Sequence, residues 1–528
     1  MQTEIESSMI AMIKNRSIHS AQNIIFGILG KITALIGPMI IRIITLKSIG
    51  EAYLGLTGVF SSIFVMLQLT ELGFGYAVTY KLFKPFAKGD VQTVNAYLYY
   101  LRNVYRIVGM AILLLGLSMV PFLPFIIREK LPESINMNAV YLILLINSVC
   151  SYFLYAYKNV ILTVSQRQDI ESKIASIVNL ITYIIQISVL IFLRNYYVYL
   201  FMLPISTIIM NLLRNRMIHK LFPEYTAIGK ITDTEQKIIK NKLIKLAGHR
   251  ISGTVLLSAD NIIISIFLGI NMVAKYNNYY IVINAIFNIL AVLDLGIRPS
   301  IGNSMATESK EKNFKDFRNL SFISIWIVGW MSITWFCLIQ DFVILAYNSE
   351  FLFSIRTVLL MAIELFVWKS MDIIATYRDS VGAWEGDSLI PYISALFNII
   401  INIFLVKIIG IDGIVLSTLL SLILFSIPFA IKVLLHDVFG QSAFVFIKYY
   451  IKHSLHIFII GFITYVCCKL FFHKVTYFNF FLKILLCCFI PNISILITNR
   501  HNSELNFIKQ HANIIFKFLK NRTVNKFH

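Results

Sequence analysis

Apolar residues run along this chain in blocks of twenty or so, separated by short polar and often basic stretches. A block of that length crosses about 30 Å of hydrocarbon as an α-helix. About fourteen such spans are expected, near 20–46, 53–80, 97–127, 138–163, 171–193, 196–216, 244–269, 274–300, 319–346, 352–376, 388–406, 411–434, 449–470 and 476–498. Backbone groups find no water inside lipid, so helices are the economical answer. The pattern predicts an all-α polytopic membrane protein.

Alternate loops carry the basic residues: Lys81, Lys84 and Lys88; Lys158, Arg167 and Lys173; Arg214 through Lys245; Lys310, Lys312, Lys315 and Arg318; and the tail from Arg500. By the positive-inside rule these loops and both termini are expected to be cytoplasmic. Opposite loops such as "LKSIGEAY" and "NSEF" are short, which leaves no room for an extracytoplasmic domain. The longest connection, 217–243, divides residues 1–216, a first six-helix bundle, from 244–434, a second. Two further helices over 435–498 and a basic, amphipathic tail over 499–528, suited to an anionic leaflet, complete the expected organisation.

The halves echo each other. Glu71 in E-L-G matches Asp294 in D-L-G, and at the same offset Phe64 falls on Phe287 and Tyr53 on Tyr276. With a four-residue gap near 270–273, Gly50 meets Gly269 and Lys31 meets Arg250. Corresponding spans run in the same direction, so the expected architecture is a parallel repeat of six plus six helices with two appended.

Composition sharpens this picture. The 528 residues are 58% hydrophobic and only 14% charged, with a mean hydropathy of +0.75, which excludes a soluble multidomain protein. The formal net charge of +20 lies in loop blocks rather than on one soluble module, so membrane topology explains it better than nucleic acid. Acidic residues in "MQTEIESSMIAMIKNRS" argue against a removable signal peptide. The six cysteines show no C-x-x-C spacing and read as buried thiols; no metal or cofactor is expected.

Charge inside the spans is costly and calls for a partner or a wet cavity. Lys31 and Arg250 lie deep in matching spans and can converge on one anion, or pair internally with acids such as Glu71 or Asp260; Arg42 and Arg298 are further candidate substrate-binding cations. Glu71 and Asp294 are expected as interhelical or gating groups, their following Gly73 and Gly296 permitting close helix approach. Arg298, four residues after Asp294, is placed for a helical ion pair. Glu364, Lys369 and Asp372 form a cluster that either binds a coupling ion or neutralises itself. Gly37 and Pro38 interrupt the first span and suit a hinge. "HSLH" at His453 to His456 reads as interfacial helix rather than a metal pair. No phosphate-binding Gly-rich loop or nucleophile elbow occurs, so the chain carries no ATPase or hydrolase signature and no catalytic residues are expected.

The stretch "EAYLGLTGVFSSIFVMLQLTELGFGYAVTYKLFKPFAKGD", Glu51 to Asp90, resembles bacterial polysaccharide repeat-unit flippases of the Wzx type, in the polysaccharide transporter branch of the multidrug/oligosaccharidyl-lipid/polysaccharide exporter superfamily. Y-L-G, E-L-G-x-G and K-P carry the likeness, and the six-plus-six pattern extends it over most of the chain. The resemblance implies a MATE-like fold in a bacterial cytoplasmic membrane. Its implied activity is alternating-access flipping of an undecaprenyl-diphosphate-linked oligosaccharide, for capsule, exopolysaccharide or O-antigen synthesis. Membrane lipids, a polysaccharide polymerase and glycosyltransferases are the implied partners. Lys31 and Arg250 would meet the diphosphate. A drug/cation antiporter of the same superfamily, using Glu71, Asp260 or Asp294, and a membrane polymerase or glycosyltransferase are the alternatives.

Overall fold

Helices begin where the sequence supplies a cap and turn where it supplies glycine. A computed structural model of the chain describes residues 33–68, 74–381 and 390–509, the side chains of 76, 241–252 and 257 excepted. Ser309 caps the helix Lys310–Ala346, Asp90 caps the helix from Val91, and Thr232 with Glu235 forms a reciprocal capping box before Asp233–Leu268. Gly50, at φ 115°, separates the helix over 33–48 from Glu51–Leu67.

Nine helices among the described residues are long and apolar enough to cross a membrane, and a tenth span arises if Met137–Phe153 and Ala156–Val164, bent by 47°, are taken together. Shorter helical pieces at 33–48, 51–67 with 74–87, 253–268 and 355–370 with 372–381 account for the remaining expected spans. The bend at 154–155 is a departure from the straight helix expected over 138–163. Tyr155 takes a left-handed backbone, φ 60°, which ends one helix and redirects the next. Large side chains such as Ile107, Phe192, Leu295 and Phe462 stand exposed on helix surfaces, where hydrocarbon suits them. The chain is an all-α, multi-pass membrane protein.

The chain divides into two compact units, Met1–Asn277 and Asn278–His528. The expected connection 217–243 holds the end of Tyr196–Leu221, an irregular stretch and the first turns of Asp233–Leu268. In the first unit, Met137–Phe153 packs between Val91–Met119 and Tyr196–Leu221, and Asp233–Leu268 lies along Glu51–Leu67. Gly55 of Glu51–Leu67 also meets the start of the next helix, Ile270–Thr307, where a Cβ would stand 2.1 Å from the carbonyl oxygen of Ile270. The glycine of Y-L-G is thus a point of helix-to-backbone contact. Phe60 and Phe64 close the core around Tyr141, with ring centroids 5.1 and 5.0 Å away.

In the second unit, Lys310–Ala346 is the central helix, packing on Ile355–Ser370, Ala443–Phe471 and Tyr477–Thr498. Ile390–Ile409 and Ile411–Ser421 pair through a buried polar ladder: Asn402 donates to Asn398 at 3.3 Å, Asn398 to Thr418 at 3.2 Å, and Ser417 to Asn402. Such bonds hold membrane helices where apolar packing alone gives little preference. "HSLH" falls within the single helix Ala443–Phe471, with His453 buried between Phe322 and Tyr449.

Candidate functional site

Within the first unit a cavity of about 670 Å³ is lined largely by amides and hydroxyls. Tyr196–Leu221 presents Thr207, Asn211 and Arg214 to it, at the i, i+4, i+7 spacing of one helix face. Met137–Phe153 adds Asn147 and Ser151, and the bend at Tyr155 brings in Asn159 and Thr163 from the next helix. Arg214 reaches Glu171 at 3.3 Å, and Thr207 donates to Asn147 at 2.8 Å. The Arg214 Nε and the Asn159 side-chain amide oxygen are buried and bonded to no described protein atom. Buried polar groups are usually satisfied, and these two atoms are closed off from the space itself; the lining amides and hydroxyls are what suit a hydrogen-bonding guest. The sequence reading passed over this site because it followed charge. The signal was there in uncharged polar residues repeating at helical spacing inside apolar spans.

The residues expected from sequence distribute otherwise. Lys31 and Glu71 lie outside the described residues, and Arg250 lies on the helix Asp233–Leu268 among the undescribed side chains. Arg42 donates to the Ala274 carbonyl at 2.7 Å, and Asp260, buried, accepts from the Tyr276 hydroxyl at 3.1 Å. Helix 33–48 runs without a break through Gly37 and Pro38, and a Cβ on Gly37 would fall 2.2 Å from the Tyr183 ring. Gly37 is therefore a packing position for that ring.

In the second unit the expected acidic groups are divided among partners. Both Glu364 oxygens lie 2.7 Å from the Tyr280 hydroxyl. Lys369 pairs with Asp372 at 2.5 Å, across the break that ends one helix at Ser370 and begins the next at Asp372, and its ammonium lies 4.5 Å from the Phe287 ring centroid. Two expectations are corrected here. Arg298 forms its ion pair with Asp379, at 3.2 Å, because its long side chain leaves its own helix; Asp294 stays within the electrostatic reach of Asp372, Lys369 and Arg298. Among the described residues none lies within 4 Å of a Cβ built on Gly296, so none of them makes the close helix approach expected there.

A second space in this unit differs in character. An apolar groove of about 450 Å³ runs between Lys310–Ala346, Ile355–Ser370 and Ala443–Phe471, lined by residues such as Phe336, Ile363, Phe366, Phe458 and Tyr465.

The protein is thus multi-pass and helical, with an amide-lined cavity in one unit and an apolar groove in the other. Among solved structures the fold is similar to that titled lipid II flippase MurJ, inward closed conformation, at a TM-score of 0.65 and 15% identity, covering 92% of this chain and 99% of that one. It is similar also to an inward-facing multidrug-resistance MATE transporter of the MOP superfamily, at 0.60 and 12% identity over 75% of this chain and 93% of that one. A Vibrio cholerae MATE transporter gives 0.54 and 13% identity over 81% and 99%. No protein-family model and no curated protein sequence matches the chain. The fold is that of the MurJ and MATE structures.

Proposed function

We propose that this chain flips a polyprenyl-diphosphate-linked oligosaccharide across a bacterial cytoplasmic membrane by alternating access, with both termini cytoplasmic. The apolar groove beside Ala443–Phe471 carries the reading, because a long isoprenoid chain needs a continuous hydrocarbon surface that a small cationic drug does not. Similarity to a structure titled a lipid II flippase over 92% of this chain supports it. The amide- and hydroxyl-lined cavity of the first unit suits sugar hydroxyls, and Lys31 and Arg250 remain the cations proposed for the diphosphate. Flipping makes and breaks no covalent bond, so the chain works as a transporter beside separate glycosyltransferases and a polymerase. The MATE structures sharing the fold keep a drug/cation antiporter as the second reading, with Asp294 and its charged neighbours as the cation-facing groups.

Reconstitution in proteoliposomes tests the choice. Undecaprenyl-diphosphate oligosaccharide should be moved by the parental chain, and about tenfold more slowly by a folded Ile363→Trp variant that narrows the groove. Equal rates for the two chains, or for long and very short isoprenoid carriers, would remove the groove from the mechanism. Cation-gradient-driven export of organic cations without lipid movement would replace the flippase reading by the antiporter.

A further inference from the structure

Three cysteines that share no local motif meet in the second unit. Cys337 lies on Lys310–Ala346, Cys468 on Ala443–Phe471 and Cys487 on Tyr477–Thr498. Their sulfurs all lie within 4.8 Å of one another, and those of Cys468 and Cys487 are 3.9 Å apart. All three are buried, in a core with Phe322, Ile333, Ile457 and Ile495. Around the sulfur triangle the helices are pinned. Trp330 donates to the Cys487 carbonyl at 2.9 Å, and Trp326 to the Asn492 side chain at 2.7 Å.

A charged pair sits one helical turn away. Asp341 follows Cys337 by four residues and Lys483 precedes Cys487 by four, so each shares a helix face with its cysteine. Their charged atoms are 2.5 Å apart, and the ammonium lies within the electrostatic reach of Cys468.

We propose that Cys337, Cys468 and Cys487 form a three-sulfur site for one soft monovalent metal ion of the Cu(I) class, which ties the last two helices to Lys310–Ala346. Soft thiolates select soft ions, whereas structural zinc takes four protein ligands. Among the described residues no histidine or carboxylate joins the three sulfurs. Binding breaks three S–H bonds and forms three metal–sulfur bonds; the protons leave to water and the metal keeps its oxidation state. The centre becomes anionic, beside a Lys483–Asp341 pair that is neutral overall and whose ammonium is within electrostatic reach of Cys468. The proposal is independent of what the transporter carries.

The purified, reduced full-length chain in detergent, titrated anaerobically with Cu(I) against a colorimetric chelator, should hold about one ion per chain. Its X-ray absorption spectrum should show three sulfurs and no nitrogen or oxygen. Replacing the half-buried neighbours, as Cys467→Ser with Cys488→Ser, should leave the ion in place, whereas Cys337→Ser with Cys468→Ser should weaken binding by about tenfold or more. Should the latter variant not fold, the spectrum of the parental chain decides. No competition with the chelator, a nitrogen or oxygen shell, retention by folded Cys337→Ser/Cys468→Ser, or oxidation to a Cys468–Cys487 disulfide in place of binding would each overturn the site.

Discussion

The space in the first unit is lined by polar side chains, whereas the groove in the second is lined chiefly by apolar ones, and several buried polar groups there meet one another. Around the first unit's cavity stand Asn147, Ser151, Thr163, Thr207 and Asn211. In the second unit Lys483 meets Asp341, and Asp412 takes both Arg356 and Thr357 at 2.5 Å. The Asn398–Asn402 ladder completes the same pattern. Polarity thus does two jobs in one membrane protein: open groups can serve a guest, and closed pairs hold helices together.

The largest effect should come from opening a closed pair. Lys483→Met leaves the Asp341 carboxylate buried and unpaired and should cost about 3–5 kcal/mol of stability, with much of the loss recovered by adding Asp341→Leu. Thermal unfolding of the purified variants measures both. An unchanged Lys483→Met midpoint would erase the distinction between the units.

Next in size is a change in the first unit that removes no polar side chain. Gly55→Val places carbon against the Ile270 carbonyl and should cost about 1–3 kcal/mol or more. A neutral result would show that the helices of this unit separate easily, and that its cavity walls are not fixed by packing.

A matched pair of smaller changes separates the two jobs directly. Asn402→Leu in the ladder and Thr207→Val in the cavity each remove side-chain hydrogen bonds, at about 1 kcal/mol apiece. Transport per folded molecule should stay near parental for Asn402→Leu and fall severalfold for Thr207→Val. The reverse ranking would assign the guest to the second unit.

The smallest effect lies outside the spans. Glu504 pairs with Arg318 at 2.9 Å. Burial pushes its carboxyl up, but hydrogen bonds from its own amide and Ser503, together with the Arg318 charge, hold it below the ordinary carboxylate range. A carboxyl lowered by folding contributes stability above its unfolded titration point, and that contribution disappears as pH falls through the folded value. Glu504→Gln should therefore lower the unfolding midpoint slightly near pH 7, by the ~1 kcal/mol or less of a half-exposed pair, and the difference should vanish in acid. A difference that grows toward acid would mean that another group titrates there.

The chain's apolar periodicity was sufficient to place the nine spans, or ten with the bent pair, seen among the described residues, and the all-α class, because hydrocarbon thickness and backbone hydrogen bonding leave few alternatives. Charge spacing along one helix served less well. It paired Arg298 with Asp294, yet a guanidinium reaches a neighbouring helix as easily as its own next turn, and Asp379 took it. The Lys369–Asp372 pair was legible as neighbours in sequence, while the partner of Glu364, Tyr280, was not.

By itself, then, the sequence determined which segments form helices long and apolar enough to cross hydrocarbon, since that depends on the composition of each segment alone. Only tertiary packing decided which faces meet. Cys337, Cys468 and Cys487 are far apart along the chain and become one cluster through the docking of three helices. Gly55 shows the same division: its place in Y-L-G is read from the sequence, but its necessity comes from Ile270, a residue more than two hundred positions away whose backbone leaves no room for a side chain.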